Sequence, residues 1–253
     1  MELNQFVKEL ENRFDKKGIV VFTGAGLSTA SGLQDFRGKT GLYNDNIDAE
    51  RKLSLPFFKE NPNEFYDFYR EHLLIDDSIK PNLAHEMISD LEKEGIVSSV
   101  ITQNIDGLHQ RAGSKNVIEV HGNPGFYCMN CNKRYDSNYI KKTTGIPFCE
   151  CGGIIRPDIV FYYEGLDDFK WRQAQDAITY AKTLLVIGST LKVNPSSRLV
   201  HDFIVGCRTG RDKDKKLFII NMWPTDYDYY ADYQYDGDVI EVAKKIKTLK
   251  KED

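Results

Sequence analysis

Predominantly apolar runs alternate along the chain with segments whose apolar residues recur at helical spacing. The runs lie at residues 19–22, 97–102, 183–187 and 217–220, and each is long enough for a buried strand. Each run ends in small or polar residues. The alternation predicts an α/β fold with a doubly wound parallel sheet, because buried parallel strands read as apolar runs separated by helices.

Helices are expected before, between and after these strands. Apolar positions at helical spacing predict helices over residues 3–14, 81–94 and 239–249. The aromatic-rich stretch 56–74 is interpreted as one or two further helices. The tyrosine-rich segment 226–238 is interpreted as a loop lying on the sheet.

Length and composition favour one large domain, or one domain with an insert. The chain has 253 residues, of which 41% are hydrophobic, so a packed core is expected. The net charge of −4 does not favour nucleic-acid binding. No apolar run approaches the 18 residues of a membrane span, and the first residues do not resemble a signal peptide. We therefore expect a cytoplasmic protein without a membrane partner.

Four of the five cysteines stand in two close pairs. Cys128 and Cys131 precede Cys149 and Cys151, and 17 residues separate the pairs. In a reducing compartment such pairs bind metal more often than they form disulfides. Four thiolates predict one tetrahedral structural Zn²⁺, although four unrelated thiols remain an alternative. Cys207 has no partner in this pattern and is interpreted as a core residue.

The first apolar run ends in a glycine-rich segment. Glycines in residues 24–26 let the backbone approach a pyrophosphate without a side chain in between. Thr29 stands where the dinucleotide-binding fingerprint has a glycine. Asp35 and Arg37 follow closely, which suggests that the loop also handles the reactive end of a nucleotide. A plain turn is the alternative, as is a nucleophile elbow at Ser28.

Polar residues also follow the second apolar run. Residues 103–106 read Gln-Asn-Ile-Asp, a set that is either a simple turn or a site for a planar amide and a ribose. His121 precedes a glycine and the cysteine-rich segment, at an expected domain junction where clefts form. On the residues alone, a structural and a catalytic role of this histidine are equally supported.

Together these motifs resemble the sirtuin (Sir2-like) family, bacterial type. They occur in the family's order from about residue 18 to 240. The resemblance rests on residues 24–28, Gly32 with residues 35–37, residues 102–106, His121-Gly122, the four cysteines, residues 188–195 and residues 219–221. It implies NAD-dependent removal of acyl groups, most often acetyl, from lysines of proteins or peptides. The expected products are nicotinamide, free lysine and O-acetyl-ADP-ribose, and we expect a monomer.

The resemblance also assigns roles to residues. It implies that His121 is the general base, which accepts a proton from a ribose hydroxyl when the imidazole is neutral, and that Asn104 acts beside it. It implies zinc ligation by the four paired cysteines. The implied cofactor-binding residues are Gly24, Ala25, Gly26, Thr29, Asp35, Phe36, Arg37, Gln103, Ile105, Asp106, Gly188, Ser189, Thr190, Asn221 and Asp238. The implied substrate-binding residues are Val160, Phe161, Tyr162, Tyr163 and Val193.

The sequence departs from the family pattern in a few places. Gln34 replaces a proline in the cofactor loop, and residues 188–190 read Gly-Ser-Thr for Gly-Thr-Ser. Tyr163 replaces a glycine in the strand expected to clamp the peptide. Sirtuins that prefer acidic acyl groups carry an arginine three residues after a tyrosine, whereas Asn46 stands three residues after Tyr43. An uncharged acyl group is therefore expected.

The resemblance implies one catalytic unit over residues 1–253. A Rossmann-like NAD-binding domain would take about residues 1–40, 80–122 and 158–253. A helical segment would occupy about residues 41–79, and a zinc module about residues 123–157.

Other functions remain open at this point. Mono-ADP-ribosyl transfer would use the same NAD site. A non-catalytic NAD-binding module would use the zinc insert to dock a partner. A serine hydrolase built on Ser28 would leave residues 32–37 without a purpose, and a hydride-transferring dehydrogenase fits the glycine pattern poorly at Thr29.

Overall fold

A parallel sheet of six strands organises the part of the chain that this computed structural model describes, which comprises residues 1–38, 41–45, 48–76, 78–209 and 214–250. The strands of the described residues are, in chain order, β1 (Ile19–Thr23), β2 (Val97–Thr102), β3 (Val117–Glu119), β4 (Gly122–Cys128), β5 (Arg134–Tyr135), β6 (Ile155–Ile159), β7 (Thr183–Ile187), β8 (Lys216–Asn221) and β9 (Tyr233–Asp236). The spatial order β3-β2-β1-β7-β8-β9 reverses beside β1. Such a reversal opens a crevice at the carboxyl ends of the strands, where open α/β sheets bind ligands.

Helices cover both faces of this sheet. The helices of the described residues are α1 (Leu3–Glu11), α2 (Leu42–Asp45), α3 (Ala49–Lys52), α4 (Leu55–Glu60), α5 (Pro62–His72), α6 (Leu83–Lys93), α7 (Leu108–Ala112), α8 (Ser137–Lys141), α9 (Asp168–Tyr180), α10 (Ser197–Arg208) and α11 (Val239–Leu249). One apolar cluster joins α1, α6 and α11 to one face, and a second joins α9 and α10 to the other. The doubly wound arrangement is confirmed. None of the described helices has both the length and the apolar character needed to cross a bilayer.

The cysteine-rich segment forms a small antiparallel sheet in the order β5-β4-β6. Its apolar side packs against the aromatic helices α4 and α5, so the two segments share a third core. Phe58 and Phe65 lie with ring centroids 4.9 Å apart in this core, and Tyr69 meets Phe126 of β4 at 5.7 Å. The aromatic residues of α4 and α5 are therefore core residues, and they join two stretches that are remote in sequence.

The interpretation of residues 226–238 as a loop is wrong, because the segment contains the edge strand β9. Tyr233 stacks on Phe218 with centroids 4.6 Å apart, and Tyr235 lies 5.9 Å from Phe6. The two tyrosines point to the same face, since alternate residues of a strand share a face. This alternation was the signal for a half-buried edge strand.

Candidate active site

A cavity of about 520 Å³ lies at the carboxyl ends of β1, β2, β7 and β8, at the boundary with the smaller core. Its size is typical of small-molecule sites. With one exception, every predicted cofactor, catalytic and substrate residue lies on its wall: Gly24, Ala25, Gly26, Thr29, Asp35, Phe36, Arg37, Gln103, Asn104, Ile105, His121, Val160, Phe161, Tyr162, Tyr163, Gly188, Ser189, Thr190, Val193, Asn221 and Asp238. Parallel strands bring their carboxyl ends to one edge of the sheet, and this convergence assembles the site.

Asp106 is the exception. Its side chain is not on the wall of this cavity, because one carboxylate oxygen accepts a 2.7 Å hydrogen bond from Ser28 Oγ and the other accepts one of 2.9 Å from the Leu108 amide. Burial raises the pKa of this carboxyl, against the effect of these two bonds. Asp106 therefore supports the loop from behind, and its contact with a nicotinamide stays a prediction.

The glycine-rich segment after β1 packs directly on the end of β7. A Cβ atom added at Gly26 would lie 2.8 Å from the Gly188 carbonyl oxygen, and one at Gly188 would lie 2.3 Å from the Leu27 nitrogen. Gly188 also has a φ of +61°, which glycine adopts most readily. The two loops thus approach backbone to backbone, so this part of the cavity wall carries no bulky side chain.

His121 faces this cavity with a defined tautomer. Its Nδ1 lies 3.1 Å from the Gln103 carbonyl, which only accepts, so the proton sits on Nδ1. Nε2 then carries a lone pair, and it has no hydrogen-bond partner among the described residues. Burial lowers the pKa of His121 more than the bond to Gln103 raises it, so the ring is neutral at physiological pH. A neutral imidazole with a free Nε2 is able to accept a proton.

Asn104 presents an acceptor to the same cavity. Its side-chain nitrogen donates to the Gly24 carbonyl at 3.1 Å and to Ser28 Oγ at 3.2 Å. Both amide hydrogens are therefore used inside the protein. The side-chain oxygen remains available for a hydroxyl or amide donor of a ligand.

Gln103 and Ser189 fix the wall between β2 and β7. Ser189 Oγ donates to Gln103 Oε1 at 2.7 Å, and Gln103 Nε2 donates to Ser196 Oγ at 2.6 Å. The Leu191 amide donates in turn to Ser189 Oγ at 3.2 Å. Gln103 and Ser189 therefore hold the loop after β7 against the end of β2. The Gln103 carbonyl at this end is the one that accepts from His121.

Two predicted residues at the far end of the cavity also have structural partners. Asn221 Nδ2 donates to the Trp223 carbonyl at 2.6 Å, and Asp238 accepts from the Ile240 amide at the start of α11. Met222 and Trp223 contribute half-exposed side chains to the wall here. The sequence analysis did not predict them. In a loop that follows a strand near the edge of the sheet, no sequence pattern distinguishes a residue that lines a cavity from one on the open surface.

A contact between two tyrosines was not predicted, although Tyr162 itself was predicted to bind substrate. The hydroxyls of Tyr43 and Tyr162 lie 2.6 Å apart, Arg37 donates to Tyr162 at 3.4 Å, and its guanidinium carbon lies 4.9 Å from the Tyr43 ring centre. Burial and the hydrogen bond to Tyr162 raise the pKa of Tyr43. Residues 119 positions apart give no local signal of such a contact. Asn46, on which the expected acyl preference depends, lies outside the described residues.

Residues 160–163 do not form the predicted strand, because β6 ends at Ile159. Tyr162 instead pairs through its amide and carbonyl with residues 53–55, at 3.0 Å each. Tyr163 occupies a turn with a φ of +64°, and 84% of its surface is exposed. Most backbone amides and carbonyls of residues 160–162 are already hydrogen-bonded within the protein. A peptide could therefore pair with the backbone at Tyr163 but not along the whole segment.

An ion pair that the sequence did not predict stabilises this turn. The Arg156 guanidinium donates two bonds of 2.9 Å to the Glu164 carboxylate, which also accepts from the Phe161 amide. Burial opposes ionisation of Glu164, but these bonds hold its pKa below the ordinary value. The arginine is buried, so the pair fixes the turn that carries Tyr163.

The four paired cysteines converge on one point. All four sulfur atoms lie within 4.8 Å of one another, and the Cys128–Cys151 and Cys131–Cys149 pairs lie 3.5 and 3.6 Å apart. A tetrahedron with Zn–S bonds of about 2.3 Å has edges of about 3.8 Å, so the donor set fits Zn²⁺. The amides of Asn130 and Cys131 point at Cys128 Sγ, at 3.4 and 3.5 Å. Such bonds stabilise a thiolate, and four thiolates leave no open coordination position.

Comparisons with known proteins agree with this geometry. A family model described as the Sir2 family matches residues 24–195. A protein of Clostridium acetobutylicum named NAD-dependent protein deacetylase is 43% identical over 239 residues, which cover 92% of this chain and 94% of that protein. A solved Sir2 complex with a deacetylated p53 peptide and 3′-O-acetyl ADP ribose superposes with a TM-score of 0.86 at 39% identity, covering 96% and 98% of the two chains. A Sir2–p53 peptide–NAD⁺ complex covers both chains fully, with a TM-score of 0.85 at 37% identity.

Proposed function

The chain belongs to the Sir2 family, and on that premise we propose that it is an NAD-dependent protein-lysine deacetylase. Acetyl-lysine peptides are its substrates, and nicotinamide, free lysine and O-acetyl-ADP-ribose are its products. The observation that carries the proposal is His121, a neutral histidine whose free Nε2 shares a cavity wall with Asn104 and the glycine-rich loop.

NAD fits the cavity by size and by the groups on its wall. The glycine-rich loop offers backbone to a pyrophosphate, and Arg37 offers a cation beside it. When bound, NAD supplies the ribose carbon from which nicotinamide leaves and the ADP-ribose that accepts the acetyl group. Asn104 accepts a hydrogen bond from the ligand at its side-chain oxygen and so orients it.

His121 acts as the general base of the reaction. Nδ1–H stays bonded to the Gln103 carbonyl, and this bond keeps the lone pair of Nε2 directed into the cavity. Nε2 accepts the proton of a ribose hydroxyl, which makes that oxygen nucleophilic toward the acyl carbon. The imidazolium that forms is stabilised by its bond to the carbonyl oxygen.

The acyl-lysine peptide binds across the cavity mouth. Among the described residues, no hydrogen-bond partner is found for the amides of residues 190–194 except that of Leu191, which donates to Ser189 Oγ, so a peptide strand can pair with the others. Val193 and residues 160–163 all line the cavity, and the peptide lies between them. Main-chain pairing ignores peptide side chains, so sequence selectivity is loose, and an uncharged acyl group fits best.

Tyr163 gives this mouth a bias toward apolar neighbours of the acyl-lysine. We expect Tyr163→Gly to raise KM for a peptide with Phe beside the acetyl-lysine by about fivefold, since part of an exposed ring becomes buried on binding. kcat should not change, because the interaction is the same in ground and transition states. Glycine also relieves the left-handed backbone, so the variant should be more stable by up to about 1 kcal/mol.

Steady-state kinetics on paired peptides with Phe or Ser beside the acetyl-lysine measure this effect. Tyr180→Ala, which removes an equally exposed tyrosine away from the cavity, is the control. A sharp loss of kcat at unchanged KM for both peptides would mean that Tyr163 acts on the chemistry.

Peptide-dependent release of nicotinamide tests the proposed function. The protein is incubated with NAD and either a library of acetyl-lysine peptides or the same peptides without acetyl groups. Only the acetylated set should release nicotinamide. Release that is independent of acetylation, with ADP-ribose attached to protein, would instead indicate mono-ADP-ribosyl transfer.

The remaining expectations belong to the same proposal. The sheet with its helices, about residues 1–40, 80–122 and 158–253, forms the NAD-binding domain, and residues 41–79 and 123–157 form its inserts. A shared apolar core supports treating the two inserts as one lobe. The net charge of −4 supports the absence of nucleic acid as a partner. A monomeric state and a cytoplasmic location stay predictions.

A further inference from the structure

The hydrogen bonds of Asn104 continue into the interior of the sheet. Its backbone amide donates to Thr102 Oγ1 at 3.0 Å, and the same oxygen accepts a 2.8 Å bond from Thr23 Oγ1. Thr23 Oγ1 lies 3.0 Å from His109 Nε2. Thr23, Thr102 and His109 are all buried. A relay of hydrogen bonds therefore runs from α7 through the ends of β1 and β2 to Asn104.

The donor and the acceptor of each hydrogen bond in the relay can be assigned. Thr23 uses its hydroxyl hydrogen on Thr102, so its oxygen accepts a hydrogen from His109 Nε2. His109 then carries its proton on Nε2, and Nδ1 is a bare lone pair. Burial, with a smaller contribution from His85, lowers the pKa of His109 to about 3, which agrees with a neutral ring. Each group in the relay thus has a fixed role as donor or acceptor.

Packing alone does not account for an imidazole at position 109. His109 Nδ1 is buried and has no hydrogen-bond partner among the described residues. An unpartnered buried nitrogen lowers stability, and an aliphatic side chain would fill the same place without that cost. The bond to Thr23 is therefore the specific contribution of His109.

A second set of bonds leads from the same helix to the Asn104 side chain. Asn104 donates to Ser28, Ser28 donates to Asp106, and Asp106 accepts the Leu108 amide at the start of α7. The backbone and the side chain of Asn104 are therefore both tied to α7, by separate routes. Loss of the relay leaves the side-chain route intact, so the protein should still fold.

His85 provides a matched comparison. It is as deeply buried as His109, and the two ring centroids lie 5.0 Å apart. Its Nδ1 accepts from the Asn82 amide at the start of α6, and its Nε2 is likewise without a partner among the described residues. Among the described residues, no hydrogen bond connects His85 to Thr23 or Asn104. A substitution at His85 therefore tests the loss of a buried histidine without the loss of the relay.

We propose that His109, Thr23 and Thr102 are positioning residues that set the backbone of Asn104 and thereby the direction of its side-chain oxygen. None of the three lies on the cavity wall. This proposal rests on the proposed function only for the contact between Asn104 and a ligand in the cavity. The hydrogen bonds of the relay are present without ligand.

Two readouts test the proposal. In Thr23→Val, which removes both bonds of the Thr23 hydroxyl at nearly constant volume, kcat for deacetylation should fall about tenfold, and KM for NAD and peptide should change less than about twofold. Hydrogen exchange at the Asn104 amide, measured by NMR without ligand, should become about tenfold faster. Thr23→Ser keeps the hydroxyl and should retain wild-type values in both measurements.

The histidine variants complete the test and replace Thr23→Val if it does not fold. His109→Leu should lower kcat and speed Asn104 exchange, whereas His85→Leu should change neither. Equal effects of the two histidine variants, or wild-type kcat and exchange in Thr23→Val, would overturn the proposal. If wild type itself does not deacetylate, the proposed function fails, and the exchange measurement still decides on the relay.

Discussion

His121→Ala should reduce kcat/KM for deacetylation by about 10²- to 10⁴-fold, the usual effect of removing a general base. NAD affinity should fall far less, because His121 acts on a proton rather than on the bulk of the cofactor. The structural reason is the geometry of the ring: Nδ1 is committed to the Gln103 carbonyl, and Nε2 is the free base in the cavity. NAD titration and steady-state kinetics of the same protein separate the two effects.

The pH profile gives an independent measurement of the same role. Deacetylation needs neutral His121, so wild-type kcat/KM should fall as protons bind to the imidazole. Burial lowers the pKa of this ring, so the fall should lie below pH 6.5, the ordinary histidine value. His121→Ala should lack this acidic limb. His201→Ala, at an exposed histidine on α10, should keep both the limb and the rate; an unchanged limb in His121→Ala would leave His121 a structural residue.

Loss of the metal should have the second large effect. We expect one tightly bound zinc per chain, and we expect Cys128→Ala to lower the free energy of unfolding by more than about 4 kcal/mol. In a protein of this size that corresponds to a fall in Tm of roughly 8 to 16 °C. Activity should fall together with stability, because Cys128 and Cys149 belong to the apolar core shared with α4 and α5.

Elemental analysis of wild type and Cys128→Ala measures the zinc content, and thermal unfolding of the two proteins measures the difference in stability. Cys207→Ala removes the fifth cysteine, which lies on α10, packs against the apolar core of α9 and α10 and is not part of the four-cysteine cluster. This variant should keep the zinc and nearly all of the stability. Purified wild type without zinc, or a Cys128→Ala protein as stable and active as wild type, would contradict the metal assignment.

The central strands were predictable because they are buried on both faces. Residues 97–102 and 183–187 form strands with the predicted bounds, and the helix over residues 239–249 also matches. The edge strands β3 and β9 were not predicted, since edge strands are short and only half-buried. Tyr233 and Tyr235 contact the core from one face, and only their alternation with polar residues marks the strand.

The site was predictable to the extent that it depends on strand ends. Parallel strands bring the glycine-rich loop, residues 103–105 and residues 188–190 together without any need to know distant contacts. Contacts between loops of different elements could not be predicted from the sequence. The hydroxyl pair of Tyr43 and Tyr162 and the turn at Tyr163 depend on how the smaller lobe packs, and no local pattern encodes that packing.

The stoichiometry of the products shows whether the protein is an NAD-dependent deacetylase. Wild-type protein is incubated with NAD and an acetyl-lysine peptide, and nicotinamide, deacetylated peptide and O-acetyl-ADP-ribose are quantified by mass spectrometry over time. We expect equal amounts of all three, with no product when NAD is omitted. Deacetylated peptide with free acetate and unconsumed NAD, or NAD consumption without any O-acetyl-ADP-ribose, would contradict it.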